Sequence, residues 1–98
     1  MRLQVSGHAE FASYGKDIVC AGVSALVETC ILGIENISEF KPLVIKKDGY
    51  VLVEIPRDVS ACARKKANII METILLGLKD ISNSYPQYVQ VTIKKEVQ

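Results

Sequence analysis

The sequence predicts an α+β fold, in which a small mixed or mainly antiparallel sheet carries two helices on one face in the order βαββαβ. Two long segments repeat apolar residues every three or four positions, which is the period of a helix that faces a core. Short segments before, between and after them alternate with the two-residue period of strands. Packing both helices on one face of the sheet buries these apolar sets economically. The 98 residues are predicted to form one domain, residues 1–98.

The amino-terminal half predicts a strand, a loop and a long helix. Residues 2–6 alternate like a strand, whereas residues 7–15 are small and polar and are typical of a loop. Asp17 is the predicted N-cap of a helix that extends to about residue 38. The predicted core-facing stripe of this helix is Val19, Val23, Leu26, Cys30, Ile34 and Ile37. Further apolar residues lie off that stripe, so we expect the helix to be buried on more than one side.

The carboxy-terminal half predicts a hairpin, a second helix and a last strand. The hairpin covers residues 43–55, with its turn at Lys47-Asp48-Gly49. Asp58 is the predicted N-cap of a helix that ends near residue 82, and residues 88–97 alternate as the final strand. The stripe of the second helix is Ala63, Ala67, Ile70, Ile74, Leu78 and Ile81.

Composition excludes several classes of function. The 12 basic and 11 acidic residues give a net charge of +1, and no face concentrates Lys and Arg as nucleic-acid or anionic-membrane binders do. We therefore expect no direct nucleic-acid partner and no membrane partner, and no apolar run of membrane-spanning length. Three cysteines without paired spacing favour a reducing, cytoplasmic location and no disulfide framework. The apolar fraction of 49% exceeds the need of one small core and favours a homodimer.

The candidates for nucleophilic and acid–base catalysis are the one histidine, His8, and the three cysteines. After an N-cap at Asp17, Cys20 takes the third helical position, where the helix dipole favours a thiolate. Cys62 lies about one turn into the second helix and meets the same criterion, whereas Cys30 falls on the core stripe as an inert thiol. His8 and Cys20 flank one loop, which favours this pair. The residues alone leave open that Cys20 is a buried structural thiol and that His8 is structural.

Other residues around this loop are candidates for substrate contacts. Gly15 permits a tight entry into the helix, and Gly22 leaves room for close approach of substrate or backbone. Phe11 and Tyr14 are packing anchors or substrate contacts. The cysteines and His8 lack the close-paired spacing of zinc sites, and no phosphate-binding glycine loop occurs. The sequence thus predicts neither a metal nor another cofactor.

The segments Gly7-His8-Ala9 and Tyr14 to Leu26 resemble the signature of the ribosomal-processing cysteine protease family, Prp. The resemblance implies an endopeptidase that removes the N-terminal extension of a bacterial large-subunit ribosomal protein, number twenty-seven of the L series. It implies that His8 and Cys20 are catalytic, through a thioester intermediate, and that Asp17 and Ser24 support them. It also implies that the loop and helix start bind the substrate peptide, through Phe11, Tyr14, Gly15, Ala21 and Gly22.

The resemblance carries further expectations about the site and its surroundings. Backbone N–H groups at the start of the first helix would stabilise the tetrahedral oxyanion, and the loop of residues 9–14 would fold over the peptide. Only six residues precede Gly7, fewer than is usual in the family, so the sheet edge is expected to be one strand short. The alternatives are a non-enzymatic, ribosome-associated peptide-binding module and a purely structural dimerisation domain.

Overall fold

The computed structural model describes residues 2–7, 14–47, 49–85 and 89–94. Their order is strand, helix, strand, strand, helix, strand, which confirms the predicted βαββαβ arrangement. The elements are β1 (Arg2–Gly7), α1 (Tyr14–Gly33) with a π-helical extension (Ile34–Ser38), β2 (Leu43–Lys47), β3 (Tyr50–Glu54), α2 (Ala61–Ser84) and β4 (Val89–Lys94).

The four strands form one antiparallel sheet in the order β2-β3-β1-β4. The short strand β1 therefore lies in the interior of the sheet, paired with β3 on one side and with β4 on the other. Alternate residues of β1 and β3, among them Leu3, Val5 and Val53, are buried in one cluster with side chains of both helices. On the opposite face Arg2 Nε donates to Glu54 Oε2 of the neighbouring strand at 2.7 Å. Both helices thus cover one face, as predicted.

The largest fully buried side chains join the two helices to the sheet. Cys30 and Ile34 come from α1 and its extension, Met71 and Leu78 come from α2, and Val53 comes from β3. Fully burying a side chain of this size contributes about 1.5–3 kcal/mol. The carboxy-terminal part of α1 is therefore a principal contributor to the core.

The predicted core stripe of α1 is wrong at its last member. Ile37 is 58% exposed, and Ser38 is buried in its place. The reason is the change from α to π geometry after Gly33, because a π turn holds more residues and rotates the following side chains around the axis. Glu39 then ends the segment with a left-handed backbone, φ 63°.

The predicted helix starts need correction. α1 begins at Tyr14, so Asp17 is its fourth residue and not its N-cap. α2 begins at Ala61 after Ser60, whose Oγ accepts from Ala63 N–H at 3.1 Å. Asp58 was therefore the wrong cap, because Ser60 also has a capping side chain and lies at the position from which it reaches an N–H group of the first turn.

The hairpin and the strands follow the prediction more closely. Gly49 has a φ of 72°, which a glycine adopts without the steric cost that a Cβ would add. The turn joins β2 to β3 so that Lys47 lies opposite Tyr50. The final strand covers Val89–Lys94, whereas the remaining residues predicted for it, Tyr88 and residues 95–97, lie outside the described ranges.

The expectation that no segment has membrane-spanning length was also wrong. Ile18–Ser38 is long and apolar enough to cross a membrane by length and composition. A core helix of a soluble protein passes the same test, and this one places Val19, Val27, Cys30 and Ile34 in the core. Part of this apolar segment therefore packs against the sheet and α2, whereas Ile18, Leu32 and Ile37 of the same segment are exposed.

Candidate functional site

A cavity of about 300 Å³ opens between α1 and the β2–β3 hairpin. Its apolar wall consists of four valines, two from the sheet and two from α1: Val5, Val51, Val23 and Val27. The polar groups around it come from the same elements: Cys20, Ser24 and Glu28 from α1, Ser6 from β1, and Lys46, Lys47 and Tyr50 from the hairpin. Few polar groups on an apolar concave surface are typical of a ligand site.

The local structure explains why these residues meet. Val5 of β1 lies directly opposite Val51 of β3, so the two side chains are neighbours on the face that α1 covers. On α1, Cys20, Ser24 and Glu28 follow each other at intervals of four residues and share one face of the helix. Because that face looks toward the hairpin, both surfaces contribute to one cavity.

The three thiols are free and lie in different surroundings. Cys20 is exposed and belongs to the cavity wall. Cys30 is fully buried, and burial raises the pKa of its thiol to about 11, which confirms it as a structural thiol. Cys62 is exposed on the first turn of α2 and is not part of the cavity wall. Cys20 is thus the thiol that lies beside the cavity.

The observed start of α1 changes the predicted electrostatics of Cys20. Since α1 begins at Tyr14, Cys20 is its seventh residue and not its third. The dipole effect and the free N–H groups belong to the first turn, which lies about 5–9 Å away along the axis at 1.5 Å per residue. Cys20 therefore does not occupy the first turn, and this geometry does not support the predicted stabilisation of a thiolate by the helix start. The predicted stabilisation of an oxyanion stays a prediction.

Most of the other predicted site residues lie apart from Cys20 or outside the described ranges. His8 and Phe11 belong to residues 8–13, outside the described part of the chain, as does most of the predicted covering loop. Tyr14, Gly15 and Asp17 form the first turn of α1.

Three predicted site residues follow Cys20 on α1: Ala21, Gly22 and Ser24. Of these, only Ser24 lies beside Cys20 in the cavity wall, as its position one turn later predicts. Ala21 is exposed, outside the cavity wall. Gly22 faces α2, because a Cβ on it would lie 3.6 Å from Ile81 Cδ1. A role of Gly22 in admitting substrate is therefore not supported.

Sequence reasoning missed the part of the site that the hairpin contributes. Lys46 Nζ of β2 donates to Glu28 Oε1 of α1, and both side chains are about half-exposed. Glu28 is the first charged residue after Asp17 in a long apolar segment, and this isolated charge was the available signal. The sequence did not predict the four valines of the cavity wall, because valines on a helix and on two strands have the same pattern as core residues.

Within the described ranges, no group of three or more His, Cys, Asp or Glu side chains could hold a metal ion. The cavity wall offers a thiol, three hydroxyls, a carboxylate and two ammonium groups for chemistry. Of these, the Cys20 thiol is the strongest nucleophile once it is ionised.

Comparisons with known proteins agree on one family. The sequence model of the family described as cysteine protease Prp matches residues 1–90. The ribosomal processing cysteine protease Prp of Bacillus subtilis (strain 168) is 35% identical over 94 residues, which cover 94% of this chain and 84% of that relative.

Two solved structures share the fold. SMU.848 from Streptococcus mutans superposes with a TM-score of 0.71 at 26% identity, covering 89% of this chain and 77% of that one. The essential ribosomal processing protease Prp from S. aureus, in complex with a covalently linked product peptide, gives a TM-score of 0.67 at 27% identity, with coverages of 88% and 79%.

Proposed function

The chain belongs to the Prp family of cysteine proteases that act in ribosomal processing, and we propose that it removes the N-terminal extension of a ribosomal protein. The substrate we propose is number twenty-seven of the L series, and the reaction proceeds through a thioester on Cys20 with His8 as general acid and base. The whole reaction is peptide-bond hydrolysis and needs no cofactor.

One observation supports Cys20 above the other thiols: it is exposed in the wall of the apolar cavity. A peptide carbonyl can reach this sulfur from solvent while its neighbouring side chains contact the valines. Cys30 has no accessible surface, and Cys62 lies on the other helix. The covalently linked product peptide in the S. aureus relative is the species expected of a nucleophilic cysteine.

In the proposed mechanism His8 removes the thiol proton, and Cys20 Sγ attacks the scissile carbonyl carbon. The tetrahedral intermediate collapses when His8 returns the proton to the leaving amine, which departs as the new N-terminus. Water, deprotonated by His8, then attacks the thioester. The second collapse breaks the carbon–sulfur bond, releases the trimmed extension as a carboxylic acid and restores the thiol.

Residues beside this pair have supporting roles in the proposal. Ser24 lies on the same helix face as Cys20, one turn further on, and lines the same cavity, so its hydroxyl is available to the bound peptide. Asp17 is assigned to orient His8, because it lies within the first turn of α1 and not at the N-cap position. The loop of residues 9–14, with Phe11 and Tyr14, is assigned to cover the peptide.

We further propose that the protein is a homodimer in the cytoplasm. The support for a dimer is the set of large apolar side chains left exposed on α1 and β2: Ile18, Leu32, Leu43, Val44 and Ile45. Several large apolar side chains left exposed on a small domain favour an interface with another copy of the chain. The support for the cytoplasm is the three free thiols, which persist in a reducing compartment.

Sedimentation equilibrium tests the dimer. The Leu32→Glu variant, which adds a charge to the exposed face of α1, is expected to sediment as a monomer, whereas the wild type sediments as a dimer. Ile69→Glu on α2, at a site that is 61% exposed, is the matched control and should remain dimeric. A monomeric wild type would remove the dimer from the proposal.

Cleavage of a peptide that spans the processing site of the ribosomal protein tests the proposed function. Cys20→Ala and His8→Ala are each expected to lower kcat/KM by at least about 10³-fold, in keeping with the loss of a nucleophile or its base. Cys62→Ala removes another exposed thiol, which lies outside the cavity wall, and should retain full activity. Acid-quenched mass spectra of the wild type should contain the thioester, whose mass is that of the enzyme plus the amino-terminal product less one water.

Two results would contradict the proposal. Cleavage that persists in Cys20→Ala would assign the nucleophile elsewhere. Tight binding of the peptide without cleavage by the wild type would instead favour the peptide-binding module.

A further inference from the structure

The hairpin side of the cavity has the least support from the core. β2 lies at the edge of the sheet, where β3 is its one neighbour among the described strands. All five residues of β2 are exposed, so none of its side chains is anchored in the core. A segment with few buried apolar contacts and exposed backbone hydrogen bonds opens locally at a low cost in free energy. The position of β2 relative to α1 therefore depends on contacts outside the core.

One ion pair supplies such a contact. Lys46 Nζ of β2 donates to Glu28 Oε1 of α1. Glu28 is the one charged residue between Ile18 and Ile34. The face of α1 beside the cavity therefore carries a single charge, and the hairpin carries its partner.

Two rows of side chains meet at this pair. On the sheet, Lys46 lies opposite Val51, and Val51 lies opposite Val5, so their side chains form one row on the face that α1 covers. On α1, Glu28 lies two turns after Cys20 on the same face of the helix. All five residues line the cavity. The ion pair thus joins the helix row to the sheet row at the edge of the sheet.

The pair lies away from the reacting sulfur. Glu28 follows Cys20 by eight residues, about 12 Å along the helix axis, so the carboxylate and the ammonium group that it holds do not border the scissile bond. Groups at that distance act on the reaction through the walls that bind the peptide. An interaction of this kind is equal in the ground state and the transition state, so its loss raises KM and leaves kcat unchanged.

We propose that Glu28 and Lys46 are positioning residues, whose ion pair holds the β2–β3 hairpin at the distance from α1 at which the cavity binds the peptide. The proposal rests on the proposed function, since the peptide is the one that Cys20 cleaves. Both side chains are about half-exposed, and an exposed ion pair shifts an equilibrium by about 1.5–5-fold. The pair therefore favours the observed position of the hairpin and is weak enough to open when a peptide enters.

The experiment measures kcat and KM for cleavage of the peptide that spans the processing site. Glu28→Gln and Lys46→Met each remove one charge and keep the approximate size of the side chain. Each variant should raise KM by about 2–5-fold, with kcat within about 1.5-fold of the wild type. The double variant should match the single variants, because either change already removes the interaction.

The control variant removes a positive charge elsewhere. Lys79 is exposed on α2 and lies outside the cavity wall, so Lys79→Met should keep the wild-type KM. This control shows whether the net charge of the protein, rather than the ion pair, changes the affinity for the peptide.

Two further measurements separate a positioning pair from two independent charges. Exchanging the charges, with Glu28→Lys and Lys46→Glu in one protein, re-forms the pair with reversed polarity and should return KM to within about 1.5-fold of the wild type. Raising NaCl from about 0.05 to about 0.5 M shortens the screening length about threefold. The ratio of KM between Lys46→Met and the wild type should therefore fall toward one, and this ratio cancels the salt dependence of the peptide itself.

The outcomes separate the pair from the function. If the wild type cleaves the peptide and both single variants keep its KM, the positioning role is overturned while the proposed function stands. A charge exchange that leaves KM raised would mean that the two charges act on the peptide separately, and it overturns the role as well. If the wild type cleaves no peptide, both proposals are overturned. A raised KM in both single variants that the exchange restores and Lys79→Met lacks supports the pair.

Discussion

The two halves of α1 differ although their sequences are similarly apolar. In the amino-terminal half, Cys20 and Ser24 border a cavity, and Val23 leaves space against the sheet. In the carboxy-terminal half, Cys30 and Ile34 have no accessible surface. One cysteine is therefore available to solvent and substrate, and the other, ten residues later, is sealed with a raised pKa. The accessible surface of the two cysteines therefore differs along one helix, because Cys20 borders a cavity and Cys30 lies in the core.

The largest expected contrast is in thiol reactivity. At pH 7, burial leaves Cys30, with a pKa of about 11, ionised in on the order of 10⁻⁴ of the molecules. Iodoacetamide should therefore modify Cys20 at least about 10³-fold faster than Cys30 in the native protein, as measured by peptide mass mapping over time. Cys62 is the control for plain exposure. Equal rates at Cys20 and Cys62 would speak against an activated nucleophile and for the binding module.

The two halves should also differ in their contribution to folding. Ile34→Ala removes a fully buried side chain and is expected to lower the free energy of unfolding by about 2–5 kcal/mol. Ile18→Ala makes the same chemical change at a site that is 60% exposed and should cost less than about 0.5 kcal/mol. Urea denaturation measures both. A similar cost at the two sites would remove the distinction between the halves.

The buried thiol also predicts how stability depends on pH. The pKa of Cys30 is raised in the folded state, so its stabilising effect is complete below the ordinary thiol pKa and is lost as pH rises toward 11. Between pH 9 and 11 the wild type should lose about 2–3 kcal/mol more than Cys30→Ala. Denaturation curves of both proteins across this range give the difference. Parallel curves would show that the thiol titrates normally.

The smallest expected effect on stability concerns Gly22, on the side of α1 that faces α2. Gly22 faces Ile81, and an added Cβ would make an ordinary contact at 3.6 Å. Gly22→Ala should therefore stabilise the protein by about 0.5–1 kcal/mol through helix propensity and leave peptide cleavage unaffected. Gly33→Ala is the matched comparison, because its Cβ would lie 3.3 Å from Ile70 Cγ2 and should gain less. Loss of cleavage in Gly22→Ala would restore the predicted substrate role of this glycine.

The sequence predicted the elements well because their signals are periodic and extend over many residues. The order βαββαβ, the hairpin turn at Gly49 and the helix cover on one face were all confirmed. The predicted helix starts were wrong because the start of a helix depends on one capping side chain, and the sequence offers several candidates near each start. Asp17 and Asp58 both had the right chemistry for a cap, yet α1 begins three residues before Asp17 and α2 is capped by Ser60.

Parts of the candidate site could be predicted and parts could not. The spacing of Cys20 and Ser24 on one helix is a local property, and it placed both in the cavity wall. The Glu28–Lys46 pair joins residues 18 positions apart on different elements. The isolated charge of Glu28 was visible in the sequence, but a single sequence carries no signal for its partner. Ile37 failed for a related reason, because a π turn changed the periodicity on which its burial was predicted.

By itself the sequence determined the family and the order of elements, because these depend on residues close together along the chain. Only the tertiary structure decided which exposed cysteine borders the cavity, where α1 begins and where the valines leave space. The physical reason is that accessibility and empty volume are properties of the gap between elements. Val23 and Val51 lie 28 positions apart in the sequence, and the space they border exists only once α1 has packed on the sheet.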